Sequence, residues 1–223
     1  VQKDDGGTYL GPFRSRRAAE MVMTAIWDAV PIRRCRGPAG KRSARCAFDQ
    51  LGVSLCPCAG DVDEAEYGAV VERLRLGIED DPALLLSPLV DRMAAHARDR
   101  RYEEAGWVRD RYRSLARAID RRRAWQVLQQ AGMLWAEAPS GDGALIERGR
   151  LIAAWGGGEQ PPLLAPAHLD QPAPQTPPTV ADAEEAHLLW RWLETTGARI
   201  IDSSAPFSLP AHPVPPLERL DAA

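Results

Sequence analysis

The chain has 223 residues, 45% of them hydrophobic, a net charge of −3, and 19 prolines and 18 glycines. That is enough for one medium domain or two small ones, with part of the chain irregular. No apolar run approaches the roughly 20 residues of a membrane span, and the polar stretch from Val1 to Gly7, with no apolar region after it, does not look like a signal peptide. Patterned sequence begins almost at once, which reads as the remnant of a longer, cytoplasmic protein.

Charge is unevenly placed. Nine basic residues fall between Arg14 and Cys46 against two acids, and eleven arginines between Asp91 and Arg123 against six acids. Either zone could meet phosphates or be a solvated helix face.

Ser15 is a fitting N-cap for a first helix carrying Ala19, Val22, Met23, Ile26, Trp27 and Val30, which Pro31 stops. The stretch 33–45 has no period and reads as a loop. Asp61 or Asp63 caps a second helix with Tyr67, Val70, Val71, Leu74 and Ile78 on one face. Two Asx/Ser-Pro signals follow, Asp81-Pro82 and Ser87-Pro88. The second is the expected start of a third helix, because Pro88 would break one begun earlier. Leu89, Val90, Met93 and Ala97 stripe that helix. After a polar break at 98–101, Ala105, Val108, Tyr112, Leu115 and Ile119 stripe a fourth, so the two predict an antiparallel hairpin.

Further along, Ser140-Gly141-Asp142-Gly143 predicts a β-hairpin between 133–138 and 144–152. A Pro/Gln-rich connector follows. A last helix over 182–196 is stopped by Gly197, and a short strand over 199–201 follows. The expected fold is therefore mainly α. Its parts are a helical cysteine-bearing segment (1–80), a helical hairpin (81–130), a small β-hairpin (131–156), a linker (157–180), and a final helix and tail (181–223).

All four cysteines, Cys35, Cys46, Cys56 and Cys58, fall in one short stretch. Four thiolates close a tetrahedral zinc site or hold an iron–sulfur cluster. The single residue between Cys56 and Cys58 is not a standard zinc spacing, and reduced thiols without metal are the alternative. The four histidines are scattered and form no nucleophilic constellation. The acidic clusters at 61–66 and 79–81 are explained by helix capping, and the tryptophans by packing.

Taken in order, these parts resemble the UvrC excision-repair nuclease family. Tyr9-Leu10-Gly11-Pro12-Phe13, a helix and Pro31-Ile32-Arg33-Arg34-Cys35 match its aromatic-x-Gly-Pro-aromatic stretch and first cysteine. Cys46, Leu51-Gly52 and Pro57-Cys58-Ala59-Gly60 are similar to its later cysteines, and Leu76-Gly77 to the end of the next helix. Arg101-Tyr102-Glu103-Glu104-Ala105 with Val108-Arg109-Asp110 and Leu115 resembles the UVR hairpin, through which that family engages UvrB. Ser54 stands where the family has its third cysteine, with Cys56 as the substitute, and Gly106 replaces an alanine of the hairpin. Tyr9-Leu10-Gly11 is not half of a GIY-YIG signature, since the partner strand and downstream residues of that nuclease are missing. The ending resembles short homologues that join a GIY-YIG nuclease, sometimes behind a DEDD exonuclease domain, to this segment.

The resemblance implies a non-catalytic, DNA- and partner-binding portion of a repair endonuclease, with an iron–sulfur cluster (zinc second) on Cys35, Cys46, Cys56 and Cys58. Arg14, Arg16, Arg17, Arg33, Arg34, Arg36, Lys41 and Arg42 would approach DNA. Tyr102, Ala105, Val108, Tyr112 and Leu115 would dock UvrB or another hairpin-bearing protein. No catalytic residue is read in the chain, so whether it belongs to an enzyme is left undecided. The competing reading is a stand-alone, metal-braced adaptor or DNA-binding protein.

Overall fold

The computed structural model describes residues 7–36, 40, 44–159 and 178–217. Among these, six helices and a small antiparallel sheet make a mainly α chain. It divides into two units, Ser15–Ile119 with Ala211–Ala223, and Val1–Arg14 with Asp120–Pro210. Most of the 157–180 connector and the chain's last six residues lie outside the described residues.

In the first of these units, α1 (Arg16–Ala29) starts on the Ser15 hydroxyl, which accepts from the Ala18 N–H, and ends before Pro31. The short α2 (Ala47–Gln50) and a 3₁₀ turn (Pro57–Ala59) lie in the cysteine segment. α3 (Glu64–Glu79) is capped by Asp63. α4 (Ala83–Arg98) and α5 (Tyr102–Ala131) form the hairpin, turning through Arg100 at φ 61°. Val22 and Ala25 of α1, Ile78 of α3, Leu85, Leu86 and Leu89 of α4, and Val108, Tyr112, Leu115 and Ile119 of α5 are buried. Asp28 of α1 accepts from Arg111 of α5 at 2.6 Å and pairs with Arg92 of α4 at 3.4 Å, linking three helices. Within this charge-assisted set the carboxylate is nearly enclosed, so its partners compensate its desolvation.

α4 corrects the expected start of the third helix. It begins at Ala83, after Asp81-Pro82, with the Asp81 carboxylate accepting from the Ala83 N–H. Pro88 sits inside it. A proline there removes the hydrogen bond that would reach the Leu84 carbonyl. Arg73 of α3 supplies the replacement, its guanidinium donating to that oxygen at 3.2 and 3.4 Å. The breaker rule fails because a neighbouring helix satisfies the freed acceptor.

The other unit carries the sheet. β1 (Met133–Glu137), β2 (Gly143–Glu147), β3 (Arg150–Trp155) and β4 (Arg199–Ser203) lie in the order β3-β2-β1-β4, all antiparallel. The hairpin turn over 140–143 is present, with the Gly141 N–H donating to the Ala138 carbonyl. The segment 144–152, expected as one strand, is instead two. Arg148 (φ 46°) and Gly149 (φ 83°) reverse the chain between them, the two-residue left-handed turn that matches strand twist. α6 (Val180–Thr196) starts on a Thr179/Asp182 capping box and ends at Gly197. Trp125, Leu128 and Ala131 from the end of α5, Leu134, Ala144 and Ile146 of the sheet, and Ala186 and Leu189 of α6 form one core. The Glu185 carboxylate of α6 accepts the Leu151 N–H of β3 at 2.8 Å, so a helix side chain occupies a donor on an edge strand.

Candidate metal centre

The cysteine segment is assembled by backbone hydrogen bonds rather than by regular structure. Pro31 ends α1, and residues 32–35 continue without regular structure. There the Pro31 carbonyl accepts the Leu55 N–H at 2.7 Å, holding the approach to Cys35 beside the approach to Cys56. Cys46 opens α2, its carbonyl accepting from the Asp49 and Gln50 N–H groups at 3.0 Å. Past α2 the Val53 N–H returns to the Phe48 carbonyl at 3.1 Å. Cys56 then leads into the 3₁₀ turn, with Pro57 at its first position and Gly60 closing it at φ 79°, a left-handed geometry that only glycine adopts cheaply. Gly40 donates to the Pro57 carbonyl at 2.8 Å. A Cβ on Gly60 would stand 3.4 Å from the Gly40 Cα, so the two chain passes nearly touch.

This frame brings the four cysteines together. Their Sγ atoms all lie within 4.8 Å of one another; Cys46, Cys56 and Cys58 are buried and Cys35 is partly exposed. None is in a disulfide, and Cys35 and Cys56 approach to 3.0 Å between sulfurs. The hydrogen bond from Cys56 and another from Arg33 hold the Cys35 thiol down to about 7, against the opposing effect of burial. Burial, together with its role as donor to Cys35, pushes Cys56 up. The two sulfurs share a proton at this distance, and a bound cation would displace it. Arg33 donates from Nε to the Cys35 Sγ at 3.3 Å. Asp49 accepts the Cys56 N–H at 3.3 Å, and Arg45 bridges Asp49 and Asp61 at 3.5 and 2.5 Å. Tyr67 of α3 belongs to the same surroundings: burial raises its pKa and the Arg33 backbone N–H opposes the rise.

The donor set fits a metal. Four sulfurs with no oxygen or nitrogen among them form a soft, closed site suited to zinc or to iron–sulfur chemistry, and a closed site braces structure rather than binding substrate. Ser54 is buried beside this set in sequence, its Oγ without a hydrogen-bond partner. The quartet is completed by Cys56.

The expected DNA-facing arginines are placed unevenly. Arg14 forms a bidentate pair with Glu184, and Arg16 pairs with Glu20 at 2.7 Å. Arg33 turns to Cys35. Arg34 donates to the Trp27 carbonyl at 2.5 Å, with its guanidinium 5.6 Å over the Trp27 ring. Arg17 and Arg36 are exposed. Lys41 and Arg42 lie outside the described residues.

Of the expected docking residues, Val108, Tyr112 and Leu115 are buried within their own unit, and the Tyr112 hydroxyl donates to the Pro215 carbonyl at 2.6 Å. Tyr102 is 69% exposed. With half-buried Ala105 it lines an open groove of about 450 Å³ between α4 and α5, alongside Val90, Met93 and Ala97. The stripe read as a docking face is thus mostly core, and one end of it reaches the surface. Asp49 and Arg73 carry no signal in the sequence, since a lone Asp in an aperiodic loop or a lone Arg on a helix gives no pattern from which such a brace can be read; Arg45 stands out there only as one of the basic residues near the cysteines.

Residues 1–76 match the family model described as UvrC/Cho excinuclease, middle domain. The chain is 35% identical over 121 residues to a protein named UvrABC system protein C from Nitratidesulfovibrio vulgaris, covering 54% of this chain and 18% of that one. Proteins of the same name from Desulforudis audaxviator (31% over 121 residues, 54% and 20%) and Pectobacterium atrosepticum (32% over 117 residues, 52% and 19%) are similar. The aligned part spans about a fifth of the length of these relatives, and no solved structure matches the chain. Residues 1–76 thus match the UvrC/Cho middle-domain model, and the chain is similar to UvrC-type proteins over about half its length, with the cysteine quartet inside the matched segment.

Proposed function

We propose that this chain is the DNA- and partner-binding, non-catalytic portion of a UvrC-like excision-repair endonuclease, braced by a metal centre on Cys35, Cys46, Cys56 and Cys58. The observation that carries the reading is the convergence of all four cysteines within the segment that matches the middle-domain family. A closed sulfur site has no open position for chemistry, so its work is to fix the loop 33–60 against α1 and α3.

DNA contact falls to the side chains left outward. These are the exposed Arg14, Arg16, Arg17 and Arg36, of which Arg14 and Arg16 pair with Glu184 and Glu20, with Lys41 and Arg42 carried by sequence alone. Partner docking falls to the groove at Tyr102 and Ala105, which an amphipathic helix of a UvrB-type hairpin would enter with its apolar face. Phosphate contacts through four cations give a log–log salt dependence of binding with a slope of roughly −3 to −4. The test is titration of the full chain with fluorescent duplex DNA over a salt series, beside a parallel titration with purified UvrB. Salt-sensitive DNA binding that weakens in Arg17→Ala/Arg36→Ala, and UvrB binding that weakens in Tyr102→Ala, support the proposal. Absence of both interactions would reject it.

A further inference from the structure

Resting on the reading of the quartet as a metal centre, we infer that it holds a single tetrahedrally coordinated ion, zinc, and not an iron–sulfur cluster. The sulfur positions carry this. All four Sγ atoms lie within 4.8 Å of one another, and Cys35 and Cys56 stand 3.0 Å apart. Four thiolates at about 2.3 Å from one zinc ion define a tetrahedron with edges of roughly 3.8 Å, inside that span. A four-iron cluster binds each thiolate to a different iron, so all its terminal sulfurs stand further apart than around one ion. A two-iron cluster keeps its thiolates close in pairs but sends the pairs to opposite ends. Either cluster requires sulfurs to separate beyond the 4.8 Å found here.

The surrounding frame opposes such opening. Cys46, Cys56 and Cys58 are buried at 6%, 0% and 0% exposure and pack with Cys35 as one cluster. Leu55 N–H to Pro31 carbonyl and Gly40 N–H to Pro57 carbonyl fix the spacing of the chain passes that carry Cys35, Cys56 and Cys58. Gly40 and Gly60 also lie close, a Cβ on Gly60 falling 3.4 Å from the Gly40 Cα. Cys56 and Cys58 flank one proline at the start of a 3₁₀ turn. That spacing is tighter than the usual zinc pair, and Ser54, at the third-cysteine position of the resembled family, offers no thiol, so the single-ion reading rests on the sulfur positions. Four soft donors with no vacancy match zinc's preference for closed tetrahedral sites.

The experiment is metal and acid-labile sulfide analysis of the full chain, purified without oxygen, alongside the Cys35→Ser variant and protein reloaded with Co²⁺ as a spectroscopic probe. Cys35 is partly exposed, which spares the packing in that variant. The expected result is one zinc per chain, no sulfide, reduced zinc retention in Cys35→Ser, and visible bands of tetrahedral cobalt–thiolate in the reloaded protein. Sulfide with more than one iron per chain would overturn the single-ion inference while leaving a metal centre in place. A chain that takes up no metal, even when incubated with Zn²⁺ under reducing conditions, would overturn both.

Discussion

Gly77 and Gly106 both sit in helices, where alanine is favoured over glycine by about 1 kcal/mol, and the space around them reverses that preference at one position only. A Cβ on Gly77 would meet Leu85 Cγ at 2.3 Å, and Leu85 is fully buried and cannot retreat. Around Gly106 nothing lies within 4 Å of the added atom. Gly77→Ala should therefore destabilise by about 1–2 kcal/mol net, overpacking outweighing propensity. Gly106→Ala should stabilise by up to about 1 kcal/mol. Urea unfolding of the two variants checks both signs. A second residue-scale prediction concerns Asp182 in the α6 capping box. Burial pushes its carboxyl up, but hydrogen bonds from Thr179 and the Arg150 guanidinium together hold it below the ordinary value. A lowered folded-state pKa contributes stability above the unfolded value, near 3.9, and loses it as pH falls through the folded one. Asp182→Asn should cost about 1–2 kcal/mol at pH 7, and the gap to the parent should narrow below pH 4. A gap unchanged between pH 7 and pH 3 would contradict this.

The helix pair α3–α4 shows what is and is not legible in sequence at the scale of elements. Ser15, Asp63, Thr179 and Gly197 act locally, and the helices they bound follow from the chain order of caps and apolar stripes. Pro88 does not act locally. Whether it starts a helix or sits within one depends on Arg73, fifteen positions upstream and on another helix. The Arg148–Gly149 reversal was hidden for a different reason, since the apolar pattern runs on through both flanking strands. The hairpin stripe was legible as a stripe but not as to what it meets. Val108, Tyr112 and Leu115 are buried in their own unit, leaving Tyr102 and Ala105 at the groove. If Arg73 compensates for Pro88, the two should be coupled in a double-mutant cycle. Arg73→Ala should cost about 1 kcal/mol beside Pro88, and measurably less in the Pro88→Ala background, where the Leu84 carbonyl regains a helical donor. Equal costs in both backgrounds would mean that Arg73 serves no such role.

For the molecule as a whole, the cysteine count and its clustering were plain in the sequence, and so was the order of parts that resembles UvrC. The convergence of the sulfurs was not, because it depends on backbone contacts between residues such as Pro31 and Leu55 that no spacing rule encodes. A loop with so little regular structure has few apolar contacts of its own, and a bound ion would supply the cross-links that hold it. Differential scanning calorimetry of the full chain, before and after complete metal removal under reducing conditions, tests this account most directly. Loss of several kcal/mol of cross-linking should lower the unfolding temperature by roughly 10 °C, restored by adding back Zn²⁺. Metal-free protein that unfolds at the same temperature as the metal-loaded form would contradict it.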